Sequence, residues 1–362
     1  MASVPDLYSQ ADLLASTAEL VDIPSLSHDE GALADLVETA LRACDWLEVD
    51  RLGHNVVGRT NLGRSQRLML AGHLDTVPAN NNTQARIEGD TLWGLGSSDM
   101  KGGLAVMLDL ATTTSKPVVD LTWCFYACEE ISRTESGLVQ LWNERPDLLT
   151  ADAAILGEPT GALVEAGCQG TLRVAVSLIG MRAHTSRPFM GRNAIHRLES
   201  VLHAVAQWPS REVALDGCLF AEQLQIVSVS GGVAANVVPD AASVNINFRF
   251  APDRDAANAV AYVRDILGDS IDETAGDTYE VLDVAEGAPP SLGHPLLGAL
   301  VEQSGASPRA KVGWTDVASF WEHGVPGANF GPGDPLLAHH PDERVTREQL
   351  EQTRSVLRAL IS

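Results

Sequence analysis

The sequence predicts an α/β layer on a mixed, mainly parallel sheet, interrupted by a smaller inserted α+β unit. Three observations carry this. Short apolar runs alternate with helix-period segments through the first half of the chain and again near its end. From residue 171 the texture changes to longer runs of strict two-residue alternation. The chain has 362 residues, 45% hydrophobic and 20% charged, which suits folded domains and is too apolar for disorder. That length suggests two domains, able to bury a core without disulfides or a structural metal.

Residues 6–20 and 31–47 carry helical apolar spacing, with the loop Asp22-Ile23-Pro24-Ser25-Leu26-Ser27 between them. Asn55–Gly58 and Arg67–Gly72 read as strands, 100–112 as a helix and 118–128 as a strand. In that last strand Trp123, Phe125 and Ala127 share one face, and Cys124, Tyr126 and Cys128 the other. A helix at 136–145 and a short buried strand, Ala153–Leu156, follow. Next come a strand at Thr171–Ile179, a helix at 193–207, strands at Leu224–Val229 and Ala241–Phe250, a helix at 255–267 and a strand at 278–284. The order β-α-β-β-α-β is that of a compact α+β unit. After Pro289-Pro290 the first texture resumes and ends in a helix from Thr346, where Thr346 and Gln349 make a capping-box signature. The expected domains are therefore 1–171 with 285–362, and 172–284.

Forty-eight acidic residues against 25 basic give a formal charge of −23. Such a body repels phosphate backbones, so no nucleic-acid partner is expected. No run approaches eighteen apolar residues, so no membrane span is expected. The first basic residue is Arg42, which leaves no positively charged start for a secretory leader. Five cysteines without zinc-finger spacing suit a reduced, cytoplasmic protein.

Polar clusters end or follow the predicted strands, where open α/β sheets place their sites. The first, Gly72-His73-Leu74-Asp75, puts His73 and Asp75 on one side of an extended strand end, so the carboxylate can fix the imidazole tautomer. The second, Gly94 to Gly103, contains Asp99 and Lys101 before a helix. Asp99 there would serve equally as a helix N-cap, and the glycine-rich turn would suit an anion, although it lacks P-loop spacing. The third is Cys128-Glu129-Glu130, two adjacent carboxylates that repel unless a cation or proton intervenes. The fourth is Gly157-Glu158-Pro159, and the last His339-His340-Pro341-Asp342-Glu343. Together they supply two His, an Asp and two Glu, with one Glu to spare. Two zinc-like ions need about six protein contacts, which five residues supply when one carboxylate bridges. The spare Glu then suits a general base.

These motifs, in this order and spacing, resemble the dinuclear zinc metallopeptidase family of aminoacylases, carboxypeptidases and deacylases, over nearly the whole chain. The resemblance implies a zinc-peptidase-like catalytic domain with an inserted lid and dimerisation domain. It implies two Zn²⁺ per subunit, replaceable by Co²⁺, held by His73, Asp99, Glu130, Glu158 and His339, with Asp99 bridging. Glu129 would be the base and Asp75 would orient His73. The pattern His-x-Pro-Asp-Glu selects His339 over His340. His184, in Arg182-Ala183-His184-Thr185-Ser186, would reach the substrate carbonyl from the other subunit of a homodimer. Asn236, Arg249 and Thr315 would bind substrate. Helical spacing makes His196 and His203 face residues instead. The chain departs from the family pattern at Cys168 and Gln169, where two Arg are common, and at Leu95 and Val317. Within the family it is most similar to members that hydrolyse N-succinyl-LL-2,6-diaminopimelate to succinate and LL-2,6-diaminopimelate, on the route to lysine and the cell-wall diamino acid. The competing readings are another N-acyl amino acid deacylase, a carboxypeptidase, or a non-catalytic zinc-binding protein.

Overall fold

Four parallel strands, Asp120–Tyr126, Arg67–His73, Ala153–Leu156 and Gly327–Asn329, lie side by side at the centre of an eight-stranded sheet. Antiparallel pairings extend it: Asn55–Arg59 and then Glu48–Leu52 on one side, Glu165–Ala166 on the other, with Arg309–Ala310 beyond it. This computed structural model describes residues 12–362, so residues 6–11 of the first expected helix lie outside it. The described part of that helix spans Leu13–Val21, with the Asp12 side chain accepting from the Leu14 amide.

The strand Asp120–Tyr126 is buried at every position, so both of its expected faces are core. The helix Gly102–Thr113 is buried without a break from Gly102 to Ala111, as suits an almost wholly apolar element whose one charged residue, Asp109, meets Arg354 and Arg358. The helix expected at 31–47 stops at Arg42. Residues Glu48–Leu52 instead pair with Asn55–Arg59 through a tight turn at Gly53, whose φ of 59° suits glycine. A further sheet that periodicity did not reveal joins Arg86–Glu88, Thr91–Trp93 and Arg344–Thr346. It pairs Arg344 with Trp93 and so ties the chain after His339 to the chain before Asp99. The final helix, Arg347–Ile361, starts with the expected capping box.

By backbone contacts the chain divides into two compact units. The first runs to Ala166 and includes Pro290–Arg309 and Ser319–Ser362; the second is Gly167–Pro289 with Ala310–Ala318. The second unit thus takes in Thr315, in a segment that the sequence assigns to the other domain. Its sheet is antiparallel in the order Gln223–Gly231, Ala241–Phe250, Gly170–Ile179, Thr278–Ala285. Leu172, Val174, Val176 and Leu178 alternate into one apolar core with the helices Ala194–Ala206 and Ala256–Leu267. The elements follow the β-α-β-β-α-β order, with an additional hairpin of Glu212–Leu215 and Cys218–Ala221.

Candidate metal centre

In the first unit, the sequence clusters converge where the parallel strands end. His73 closes its strand opposite Tyr126, after which the chain turns through Ala127 and Cys128 to Glu129 and Glu130. Glu158 follows the strand Ala153–Leu156 by two residues, and Asp99 lies in the turn before the helix Gly102–Thr113. That helix meets the neighbouring strand end closely. A Cβ at Gly103 would lie 2.3 Å from the Gly157 carbonyl oxygen, so the approach requires glycine.

His73, Asp99 and Glu158 present one ligand atom each, all within 4.8 Å of one another, and so do Asp99, Glu130 and His339. Asp99 is common to both groups. His73 Nε2 lies 3.1 Å from Asp99 Oδ1, and His339 Nε2 lies 3.0 Å from Glu130 Oε1 and 3.7 Å from Asp99 Oδ2. Glu129 forms a further such group with His73 and Glu130. His340 belongs to none of the groups; its Nδ1 accepts the Asp342 amide. Imidazole nitrogens and carboxylate oxygens, with one carboxylate shared, are a donor set that fits a pair of divalent cations.

The electrostatics show how much negative charge is gathered. Burial by itself would lower the His73 pKa, but Asp75, Asp99, Glu129 and Glu158 outweigh it and hold the pKa well above the ordinary value. Hydrogen bonding to Glu130, against the cost of burial, pushes His339 up to about 9.

Backbone amides hold two buried carboxylates in place around these groups. Asp75 accepts from the amides of Glu129 (2.9 Å) and Glu130 (3.0 Å) and from the Ser27 hydroxyl (2.7 Å). Burial opposes its ionisation, yet these bonds and His73 lower its pKa to about 2. Its relation to His73 differs in detail from the sequence expectation: the Asp75 carbonyl oxygen lies 3.0 Å from His73 Nδ1, while its carboxylate is 3.5 Å away. Glu343 accepts from the amides of Ser98 (2.9 Å) and Asp99 (3.0 Å), and burial raises its pKa to about 7. The anion cradle in the glycine-rich turn is therefore filled by the chain's own carboxylate. Asp99 is not a helix cap either, because Lys101 occupies that position. Glu343 and Ser27 were not singled out from sequence. Glu343 ends the motif His339-His340-Pro341-Asp342-Glu343, but only the pairing of Arg344 with Trp93 brings it to this turn.

The remaining candidates belong to the second unit. His184 pairs with Val237 in an isolated bridge, and the Thr185 amide donates to the Asn236 carbonyl oxygen at 3.1 Å, so His184 and Asn236 are neighbours. The Ser186 amide donates to His184 Nδ1 at 3.1 Å, which leaves Nε2 as the N–H of the neutral ring. Arg249 lies elsewhere, on the strand Ala241–Phe250 opposite Gln223 and Thr171. Burial and the nearby Arg173 lower its pKa. Thr315 is buried, and its carbonyl oxygen faces the Cys168 thiol. His196 and His203 line an outer face of their helix with Ile195, Glu199 and Leu202.

The sequence profile of Peptidase family M20/M25/M40 matches residues 69–362. A Mycobacterium tuberculosis protein named for succinyl-diaminopimelate desuccinylase, DapE, is 52% identical over 337 residues, covering 93% of this chain and 94% of its own. The succinyl-diaminopimelate desuccinylase of Corynebacterium glutamicum is 44% identical over 365 residues, covering 99% and 98%. Among solved structures, aminopeptidase PepT from Bacillus cereus superposes with a TM-score of 0.77 at 19% identity, over 97% of both chains. The Bacillus subtilis YXEP protein, a dinuclear metal binding peptidase, gives 0.67 at 16% identity over 96% of both. At such identities the structural likenesses speak to the fold.

Proposed function

This chain belongs to peptidase family M20/M25/M40, a family of metal-dependent hydrolases, and on that premise we propose that it hydrolyses N-succinyl-LL-2,6-diaminopimelate to succinate and LL-2,6-diaminopimelate. The observation that carries the proposal is near full-length identity of 52% and 44% to the two relatives named for that reaction. The product supplies lysine and the cell-wall diamino acid.

His73, Asp99 and Glu158 would hold one divalent cation and Asp99, Glu130 and His339 a second, as zinc or, by substitution, cobalt. When bound, such cations polarise a carbonyl oxygen and lower the pKa of water. Glu129 takes a proton from the attacking water and delivers it to the leaving amine as the carbon–nitrogen bond breaks. Asp75 keeps Glu129, Glu130 and His73 in register. His184 donates from Nε2 to the carbonyl oxygen as negative charge develops there, acting in trans in a homodimer. The tautomer set by Ser186 supports that role. Arg249 pairs with a substrate carboxylate, while Asn236 and the buried Thr315 hydroxyl bind the rest of the substrate.

The dimer uses the second unit, whose edge strand Gln223–Gly231 exposes Val227 and Val229 and whose helix exposes Ile195 and Leu202. Work in the cytoplasm suits five buried cysteines that form no disulfide. No helix among the described residues is long and apolar enough to cross a membrane.

A kinetic panel of succinylated and acetylated substrates tests the reading. A site that pairs the succinyl carboxylate should favour the succinylated diamino acid, by as much as ~10⁴ in kcat/KM. Equal turnover of N-acetylornithine would overturn the substrate assignment and leave a metal-dependent deacylase.

A further inference from the structure

The turn that carries Glu129 and Glu130 is held by two carboxylates. Asp75 takes the amides of Glu129 and Glu130, and the preceding amide, that of Cys128, donates to Glu30 Oε1 at 3.1 Å. Glu30 stands 98 residues earlier, directly before the helix Gly31–Arg42, and its side chain has no exposed surface. The same Oε1 accepts from the His28 amide at 2.9 Å and the Cys128 thiol at 3.3 Å, while Oε2 lies 2.8 Å from His54 Nδ1. Both oxygens are thus engaged.

Cys128 needs that support. Its φ is 59°, in the left-handed region that disfavours a residue with a Cβ. An extended Cys128 would swing the next two residues away from Asp75 and from His73. The carboxylate acts as a peg: it accepts from the backbone and the thiol of the one residue whose conformation aims both glutamates.

We infer that Glu30 is a positioning residue for the Glu129–Glu130 pair, acting through Cys128. This rests on the roles given above to Glu129 and Glu130. Gln at this position is an uncharged and therefore weaker acceptor than the carboxylate, so its hold on the Cys128 amide and thiol is reduced. Loss of an outer support of this kind costs about 10–100-fold in activity or metal affinity.

The test uses the zinc-loaded full chain and the best N-acyl substrate of the wild type. Glu30→Gln should lower kcat by about tenfold with KM within about threefold, and Glu30→Ala should lower it further. Zinc affinity, read by chelator competition, should weaken in parallel. In the Glu30→Gln background, Cys128→Gly should recover part of the lost kcat, because glycine adopts positive φ without help. A kcat within twofold of wild type for Glu30→Gln would overturn the inference, as would no recovery with Cys128→Gly. If the wild type hydrolyses no N-acyl substrate, the proposed function fails. The inference is then judged on zinc affinity, and an unchanged value in Glu30→Gln sinks it.

Discussion

In the first unit Asp75, Glu30 and Glu343 are buried against backbone amides, whereas in the second Asp277 and Glu222 are buried against arginine. Asp277 meets Arg197, and Glu222 meets both Arg211 and Arg254. An arginine partner cancels the charge, so such a pair is complete within the chain. Amide donors stabilise a carboxylate without cancelling it. Around the amide-held groups stand Asp99, Glu129, Glu130 and Glu158, with His73 and His339 between them. At its strand ends the first unit gathers negative charge that invites an external cation, whereas its Asp109, like Asp277 and Glu222 of the second unit, is balanced by arginine.

Metal removal should break the symmetry most. A chelator should take hydrolysis to background, with return on adding zinc or cobalt, and elemental analysis after zinc loading should approach two ions per chain. Hydrogen exchange should rise at 73–75, 98–101 and 128–130 in the stripped protein and stay unchanged at 241–250. Metal content near zero after loading would remove the basis of the comparison.

Next in size is the division of labour within the glutamate pair. Glu129→Gln keeps the shape and cannot take a proton, so turnover should fall by roughly 10²–10⁴ while metal is retained. Glu130→Gln should instead lose metal. The reverse pattern in metal content would exchange the two roles.

Glu343→Ala leaves the amides of Ser98 and Asp99 without their buried acceptor. Asp99 is then less well aimed, and zinc affinity should weaken by about 10–100-fold. Unchanged affinity in the folded variant would make Glu343 irrelevant to the centre.

The smallest effect belongs to the second unit. Burial opposes ionisation of Asp277, but Arg197 and the amides of Ile179 and Asp272 outweigh it and lower its pKa to about 2. A carboxylate lowered on folding adds stability above its unfolded pKa and loses it as pH falls through the folded one. From the ordinary 3.8 to about 2, the contribution is about 2 kcal/mol, present above about pH 4 and lost towards pH 2. Asp277→Asn should lower the thermal midpoint at pH 6 and narrow the gap to wild type at pH 2.5, with metal content unchanged. A gap that widened on acidification would contradict the sign.

How much could be read beforehand differs between the units in the same physical terms. In the second, alternation such as Leu172, Val174, Val176 and Leu178 is local and strong, because one face is buried and the other is not. In the first, the hairpin at Gly53 was obscured because the apolar spacing of 31–42 continues to Leu47. The short strands Arg86–Glu88, Thr91–Trp93 and Arg344–Thr346 are only three residues each, too few to show a period.

The sequence by itself determined the chemical types at the centre and their attachment to strand ends. A His, an Asp or a Glu after an apolar run is a local pattern, and parallel strands align their carboxyl ends. What only the tertiary structure decided is which groups hold those residues in place. That Asp99 belongs to two ligand groups depends on residues 73, 130, 158 and 339 meeting across the sheet. That Glu30 grips Cys128, and Glu343 the amides of Ser98 and Asp99, depends on contacts spanning 98, 245 and 244 residues. Hydrogen bonds of that span leave no periodicity or spacing in the chain, because they are set by how the folded elements pack, not by neighbours in sequence.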